Sequence, residues 1–565
     1  MEAIKNTDRI VLRRHEATIR AFSPFRFKDV LKGISGARWN RDARCWEWPF
    51  TGTVARELAE RIGTFLDMKD LEMLIAHAKG LIAAEQVKRA ADGDVPPVPS
   101  EKTRSWTHQA RAYWFAHNLR AAMLSMDMGT GKSKVAVNVA VNGRCSTVLV
   151  ICPLSVVDVW PSEFEKHAPA GYAAEVCALN DGRTVAEKAK MLYRALAVGK
   201  SRNRPVIVIV NYESAWRPPL GEAILANRWD LVILDESHRI KAPGGKASMY
   251  CARLGLKADR RLCLTGTPMP HSPLDIYGQY RFLDPGIFGT SFARFKARYA
   301  VFGGFHNKQV KGYQNQAEMN KRFYSIAFRV EKADVLDLPE FNHNVRYCEL
   351  SAATWKVYAE MEHAFYTEVK DRQISASNAL VKLLRLQQVT SGHIEEIPNL
   401  GFEKTRLLQD VLEDLPMEEP CVVFCRFDRD LDRVRDVAHG LGREYYELSG
   451  RARGLGAWQA SKKGDVLGVQ IRSGGVGVDL TRARYAIYYS LGFSLGDYEQ
   501  SLARVHRPGQ TRPVFYYHLV AKNTVDQKVY LALRERKDAV QAVLEGCGAA
   551  LTFEAGDANN NNDPD

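Results

Sequence analysis

Two series of short, continuous apolar runs stand out along the chain, separated by longer stretches of mixed polarity. The first series holds Thr147–Ile151, Val206–Val210, Leu231–Leu234 and Arg261–Leu264, and the second holds Cys421–Phe424, Val466–Gln470 and Tyr485–Tyr489. Runs of this length, without polar alternation, read as strands buried on both faces, and the amphipathic stretches between them read as crossover helices. Strands alternating with helices predict parallel sheets. The expected fold is α/β, with one parallel-sheet lobe over residues 104–285 and a second over 401–550. Residues 286–400 lack such runs and carry helical patterns rich in Phe, Tyr, Arg and Lys, so they read as a helical insertion and connector.

The two ends follow other rules. Phe25–Lys28 and Arg38–Pro49 mix aromatics with arginines, bounded by Gly33, Gly36 and Pro49. Strands turning at Asn40-Arg41-Asp42 would gather Trp39, Trp46 and Trp48 on a small sheet. Residues 1–90 therefore read as a small α+β module. Its tryptophans suit two roles: the core of a unit that must bury large side chains to be stable, or a platform on which nucleic-acid bases stack. Ala91–Ser100 is polar and proline-rich, so 91–103 reads as a stiff linker. Residues 551–565, with the run Asn559–Asn562, read as a disordered tail.

Composition narrows the class. A chain of 565 residues exceeds what one hydrophobic core supports, so two or three domains are expected. The formal net charge of +13 suits a polyanionic partner without separating DNA, RNA and an acidic protein. No apolar run is long enough to span a bilayer, and Met1 leads into Lys5, Asp8 and Arg9 rather than an apolar signal core. An intracellular protein with no membrane association is expected, cytoplasmic if bacterial or phage-encoded. The ten cysteines are scattered with no Cys-x-x-Cys, which favours reduced thiols over zinc or disulfides.

Three segments carry the chemistry. Met126–Ser133 reads as a phosphate cradle: Gly129, Thr130 and Gly131 bring backbone N–H groups to phosphates, Lys132 neutralises their charge, and the Ser133 hydroxyl can ligate Mg²⁺. Met126 stands where the strict pattern has its first glycine. Asp235 and Glu236 follow the strand Leu231–Leu234, placing Asp235 on Mg²⁺ and Glu236 on an attacking water. Arg504 and Arg507, three apart on an expected helix, share a face and can stabilise charge on a γ-phosphate. The order of the segments, with room for several strand-helix units between Lys132 and Asp235, points to an ATP hydrolase using ATP and Mg²⁺, with Asp235, Glu236, Arg504 and Arg507 catalytic.

On these and further segments the chain resembles helicase superfamily 2 motors of the SNF2 type from about residue 105 to 535, which implies two RecA-like lobes. Trp106–Gln109 resembles the adenine-reading segment, implying that the Gln109 amide bonds the base. Cys152–Trp160, Asn211–Ser214 and Leu264–Pro268 are similar to segments that contact a nucleic-acid backbone or link it to the ATP state; this implicates Pro153, Ser155, Asn211, Tyr212, Thr265 and Thr267. Arg329–Pro339 and Leu384–Gln388 resemble SNF2 elements that plain RNA helicases lack. Gly474–Thr481 adds Gly474 and Gly475 to the implied DNA contacts, and Gln500–Gln510 is similar to the family's arginine segment. Ser237 stands where alanine is usual, and Asp479 where asparagine is usual. The amino-terminal segment that carries Phe25–Lys28 and Arg38–Pro49 resembles, over about 45 residues, the HARP module of annealing helicases, which implies binding of branched or fork DNA; Trp39 and Trp46 are its candidate DNA contacts.

The resemblance implies an ATP-dependent translocase on duplex or branched DNA, in which nucleotide-driven closure brings the arginines of the second lobe to the first. An ATP-dependent RNA helicase and a nucleotide-gated adaptor for a nuclease or replication partner are the alternatives. A protein partner is not readable from the residues.

Overall fold

A computed structural model describes residues 9–535, apart from 16, 92, 181, 271, 304–308, 336–337, 371–375, 395–398 and 472–477. The chain divides after Val335 into two compact units. The expected Gly474 and Gly475 contacts and the 551–565 tail lie outside the described residues.

The first unit is built on a seven-stranded sheet, in the order Ala327–Val330, Ala121–Met126, Ala258–Thr265, Trp229–Asp235, Thr147–Cys152, Val206–Asn211, Glu175–Leu179. Every neighbouring pair is parallel. The central strands Ala121–Met126 and Val206–Asn211 are buried along their whole length, as continuous apolar runs require. After Ala121–Met126 the chain crosses to the far half of the sheet and then returns to fill the places beside its first strand. Strand ends flanking such a reversal leave a crevice at their carboxyl edge. Three loops meet there: 127–131, 235–237 and 265–268. The second unit repeats the plan with six parallel strands, ordered Phe341–Cys348, Val514–Ala521, Tyr485–Tyr488, Cys421–Cys425, Val466–Gln470, Tyr445–Leu448.

Residues 286–400, read as helical, contain strands as well. Ala300–Gly303 pairs with Gln309–Tyr313 as a hairpin, while Ala327–Val330 and Phe341–Cys348 form an edge of the first and second sheets respectively. Ala327–Val330 gives no long apolar run because it is four residues long and carries the exposed Arg329, and Phe341–Cys348 because it is only partly covered. Phe341–Cys348 is exposed or half-buried throughout.

The amino-terminal module is a four-stranded antiparallel sheet ordered Val11–His15, Thr18–Phe22, Cys45–Pro49, Arg38–Asn40, backed by helices Gly52–Ile62 and Met68–Arg89. The expected turn forms. The Asn40 side chain accepts from Ala43 N at 3.0 Å, and Arg44 takes a left-handed φ; an asparagine that bonds its own backbone in this way is a common turn device. One face of the sheet holds Leu12, Ile19, Ala21, Trp46 and Trp48 in a common core. The module is docked on the first lobe, not tethered to it. Thr53 Oγ1 donates to Asp284 Oδ2 at 2.6 Å, Arg322 bonds Ser35 Oγ and the Ile287 carbonyl, and Lys88 donates to the Tyr324 carbonyl. Gly80 lies so close to the Asn118 carbonyl that a Cβ there would sit 2.2 Å from it. The 91–103 stretch lies against the lobe too: Trp114 Nε1 donates to the Pro96 carbonyl at 2.7 Å, Val98 is buried, and Glu101 pairs with Lys134 at 3.1 Å.

Candidate active site

The phosphate-type loop begins where the buried strand Ala121–Met126 ends. Gly129 and Gly131 both take a positive, left-handed φ, a region that costs glycine nothing and strains other residues. Gly131 caps the helix Lys132–Asn142, so the helix's free N–H groups and positive dipole end face the loop. Lys132 Nζ donates to the Met126 carbonyl at 2.8 Å and the Asp127 carbonyl at 3.2 Å, which folds the ammonium back over the loop. The loop is braced from three sides. Thr130 Oγ1 donates to the Asp127 carbonyl, the Asp127 carboxylate accepts from Lys332 N at 3.0 Å, and the Thr130 carbonyl is bonded by His108 Nε2 and Gln109 Nε2 at 2.9 and 3.1 Å.

Gln109 is engaged within the protein in this structure. It is buried, and its amide is used at both ends, since Oε1 also accepts from Trp106 N at 3.1 Å. A Cβ on Gly131 would meet Gln109 Nε2 at 2.3 Å. In this structure the glutamine braces the loop through the Thr130 carbonyl.

Asp235 ends the next-but-one strand of the sheet, and both acids are almost wholly buried. Trp160 Nε1 donates to Asp235 Oδ2 at 3.1 Å, Glu236 N to Asp235 Oδ1 at 3.0 Å, and the Tyr212 hydroxyl to the Asp235 carbonyl at 2.9 Å. Burial, and next the neighbouring Glu236 carboxylate, push the Asp235 pKa up to about 7, as desolvation beside a like charge does. Glu236 moves down despite its burial, held by His238, whose Nδ1 lies 3.3 Å from Glu236 Oε2. The same Nδ1 is 3.2 Å from Thr265 Oγ1, which accepts from Thr267 N at 3.1 Å. His238 thus joins the acidic loop to the Thr265–Pro268 loop.

These residues fit a nucleotide polyphosphate with a divalent cation. The glycine loop and helix N-terminus offer donors to phosphate, and two dry carboxyl groups side by side call for positive charge. Among the described residues no group of three or more His, Cys, Asp or Glu could hold a metal alone. A cation at Asp235 and Ser133 would take its remaining ligands from phosphate and water.

Other expected contacts are placed differently. Pro153, Tyr212 and Thr265 are buried, and Tyr212 and Thr265 bond other site residues, so their side chains are not open to a ligand. A residue at or just past the end of a strand covered on both faces is still inside the protein. Asn211 is also buried and donates to Glu213 Oε2 at 3.0 Å, whereas Thr267 is half-buried. The Ser155 side chain lies outside the described residues. In the amino-terminal module Trp46 belongs to the core and Trp39, 47% exposed, packs edge-on against it at 5.3 Å.

In the second unit the helix Leu495–Val505 carries Arg504, which is buried; burial lowers its pKa to about 10. Its helix is pinned by the Tyr488 hydroxyl against Ser501 Oγ at 2.6 Å and by the Tyr516 hydroxyl on the Leu502 carbonyl at 2.7 Å. The helix stops before Arg507, so the two arginines do not share a helical face as the spacing suggested; Arg507 lies in the following turn and donates to the Val478 carbonyl at 3.3 Å. Trp160, His108 and Gln279 escaped sequence reasoning, because nothing in their local pattern announces a long-range bond.

Residues 98–393, more than half of the chain, match the SNF2-related domain, and residues 403–509 match the helicase conserved C-terminal domain. The chain is 25% identical over 442 residues to an uncharacterized ATP-dependent helicase of Mycoplasma pneumoniae, covering 76% of this chain and 40% of that protein. It is 24% identical over 472 residues to the DNA repair and recombination protein RDH54 of Saccharomyces cerevisiae, covering 73% of this chain and 50% of that protein. The Sulfolobus solfataricus SWI2/SNF2 ATPase core in complex with dsDNA aligns over 80% of this chain and 95% of its own at 21% identity, with a TM-score of 0.38. By its family domains, the chain belongs to the SNF2-related family of helicase-type ATPases.

Proposed function

We propose that this protein is a DNA-stimulated ATPase that translocates on duplex or branched DNA. The observation that carries the proposal is the joining of three loops at one sheet edge: the glycine loop beside Lys132, the buried Asp235–Glu236 pair, and the Thr265–Pro268 loop tied to that pair through His238. Gly129, Thr130, Gly131 and Lys132 would hold the phosphates, and Ser133 and Asp235 the Mg²⁺, which when bound supplies charge neutralisation at the phosphates. Glu236 would orient the attacking water. His238, in contact with Glu236 and Thr265, passes any shift of the Thr265–Pro268 loop to that carboxylate. Arg504 and Arg507 would supply positive charge to the reacting phosphate when the two units close. The lobe limits 104–285 and 401–550 are part of the proposal, as is action inside the cell.

For the amino-terminal module we propose a HARP-like role on branched DNA, with a changed surface. Trp46 is buried, so the support comes from the opposite sheet face, where Arg13 pairs in register with Arg20, and Arg20 and Arg38 both lie across from Glu47, and from the exposed Trp39, which lies on the core face opposite Trp46. Contacts of this kind hold backbone phosphates and carry little sequence information.

ATP turnover measured with duplex, single-stranded and forked DNA and with RNA, at several salt concentrations, tests the reading. Duplex or forked DNA is expected to stimulate most, with stimulation falling as salt rises. Glu236→Gln should retain nucleotide binding and lose turnover by on the order of 10²-fold or more. Stimulation by RNA alone would favour an RNA helicase, and turnover indifferent to any nucleic acid would remove the translocase.

A further inference from the structure

The fully buried pair Ser237 and Gln279 has no part in the site described above, yet it spans two of its loops. Ser237 follows Glu236 and opens the turn Ser237–Ile240; Gln279 lies on the helix Ile276–Leu283. Neither side chain reaches solvent. Ser237 Oγ donates to Gln279 Oε1 at 2.7 Å, and Gln279 Nε2 donates to the Pro268 carbonyl at 2.7 Å and to the Asp275 carbonyl at 3.1 Å. The chain Ser237–Gln279–Pro268 is thus a continuous hydrogen-bonded path from the residue after Glu236 to the residue after Thr267.

Packing around the path is tight. A Cβ on Gly278 would lie 2.0 Å from the Ile240 carbonyl, so the helix backbone rests directly on the Ser237–Ile240 turn and Gln279 cannot be displaced without moving that turn. Glu236 itself takes a left-handed φ, a conformation that persists only where the surroundings of such a residue hold it. His238 holds the carboxylate from the site side and Ser237 holds the backbone from the core side. Two polar side chains of complementary shape in a dry interior are costly to leave half-satisfied, so they move together or not at all.

We propose that Ser237 and Gln279 are positioning residues, a buried relay that couples the Thr265–Pro268 loop to the orientation of Glu236 and so sets the rate of hydrolysis without touching nucleotide. The inference rests on the ATPase reading of the site. It predicts a larger effect on kcat than on nucleotide affinity, because the hydrogen bonds of Ser237 and Gln279 run to each other and to the Pro268 and Asp275 carbonyls and not to the glycine loop.

The test is a double-mutant cycle with Ser237→Ala, Gln279→Met and the two combined, reading kcat and KM for ATP with saturating duplex DNA alongside thermal melting. Each single variant is expected to lower kcat about 5- to 20-fold with KM within about twofold, and the double variant to lose no more than the worse single, since both cut one path. Additive losses, or a kcat deficit that disappears once turnover is normalised to the folded fraction, would overturn the relay. Should Gln279→Met not fold, a folded Ser237→Ala with unchanged kcat overturns it alone. Wild-type protein without ATP turnover, with or without DNA, would instead remove the ATPase reading, and the two failures are distinguishable in the same experiment.

Discussion

Replacing Gln109 by alanine separates two roles for this side chain. If it props the loop, as the structure places it, the substitution removes two hydrogen bonds, one to the Thr130 carbonyl and one from Trp106 N. Each contributes about 0.5–1.5 kcal/mol net. The Thr130 carbonyl keeps His108 as a partner, so no buried acceptor is orphaned and the loss stays near the sum of the two bonds. That is about 1–3 kcal/mol, or roughly 5- to 150-fold in nucleotide affinity if the whole of it falls on loop order. Titration of a fluorescent nucleotide, with ATP and GTP as competitors, reads the outcome. Affinity for both purines should fall by the same factor, because the amide meets the loop and not the base. Gly131→Ala gives a companion measurement, since its Cβ would strike Gln109 Nε2 at 2.3 Å. Combining it with Gln109→Ala should relieve that clash and recover part of the loss. What remains is the backbone strain of a left-handed alanine, about 1–2 kcal/mol. A selective loss of ATP with GTP unchanged would show that the amide reads adenine and would refute the propping role.

Two further outcomes follow from burial. Trp46→Ala, which empties part of the module's core, should cost about 3–5 kcal/mol and lower the first thermal transition, whereas Trp39→Ala should leave melting nearly unchanged and weaken single-stranded DNA binding by about 1–3 kcal/mol if Trp39 stacks on a base; equal melting losses would contradict the core assignment. His518 is fully buried, shares a hydrogen bond of 2.9 Å with the Tyr498 hydroxyl, and has its pKa pushed down to about 3 by burial and then by His343. A base with a depressed folded pKa stays neutral in the fold and charges in the unfolded chain, so stability falls as pH drops from about 6.5 toward 3, by on the order of 1 kcal/mol per unit. Denaturant midpoints of His518→Gln should show a shallower slope between about pH 6 and 4, and identical slopes would remove His518 as the cause.

The two sheets were legible because a strand covered on both faces must be apolar at every position. Val206–Asn211 and Cys421–Cys425 are buried without exception and stand out in the sequence. Ala327–Val330 and Phe341–Cys348 gave no such signal, the first because it is four residues long and carries the exposed Arg329, the second because it is only partly covered. The module's sheet was legible through its turn residues and tryptophans, but which of those rings would be outside was not. Trp39 and Trp46 lie directly opposite each other in the ladder, and one is exposed while the other is core. The docking of the module was invisible, because Thr53, Asp284, Ser35 and Arg322 are polar residues that any surface carries until another surface meets them.

The site shows the same boundary at finer grain. Sequence spacing identifies which strands end at the common edge, but it does not say which side chains near those ends turn inward. Asp235, Thr265 and Asn211 occupy the last strand positions and are all buried, while Gly129 and Thr267, set in the loops beyond, and Lys132, which opens a helix, are partly open. The consequence is electrostatic. A phosphate arriving at the open loops comes close to a carboxyl pair that is already dry, where charges interact more strongly than they would in water. Burial first, and then repulsion from Glu236, raise the pKa of Asp235, so holding the pair together has a cost that a cation shared with the phosphate would offset. On the proposed reading binding and loop order would reinforce each other for this reason, and the residues that hold the pair in place, Trp160, Tyr212, His238 and Ser237, would act on the chemistry without touching the nucleotide.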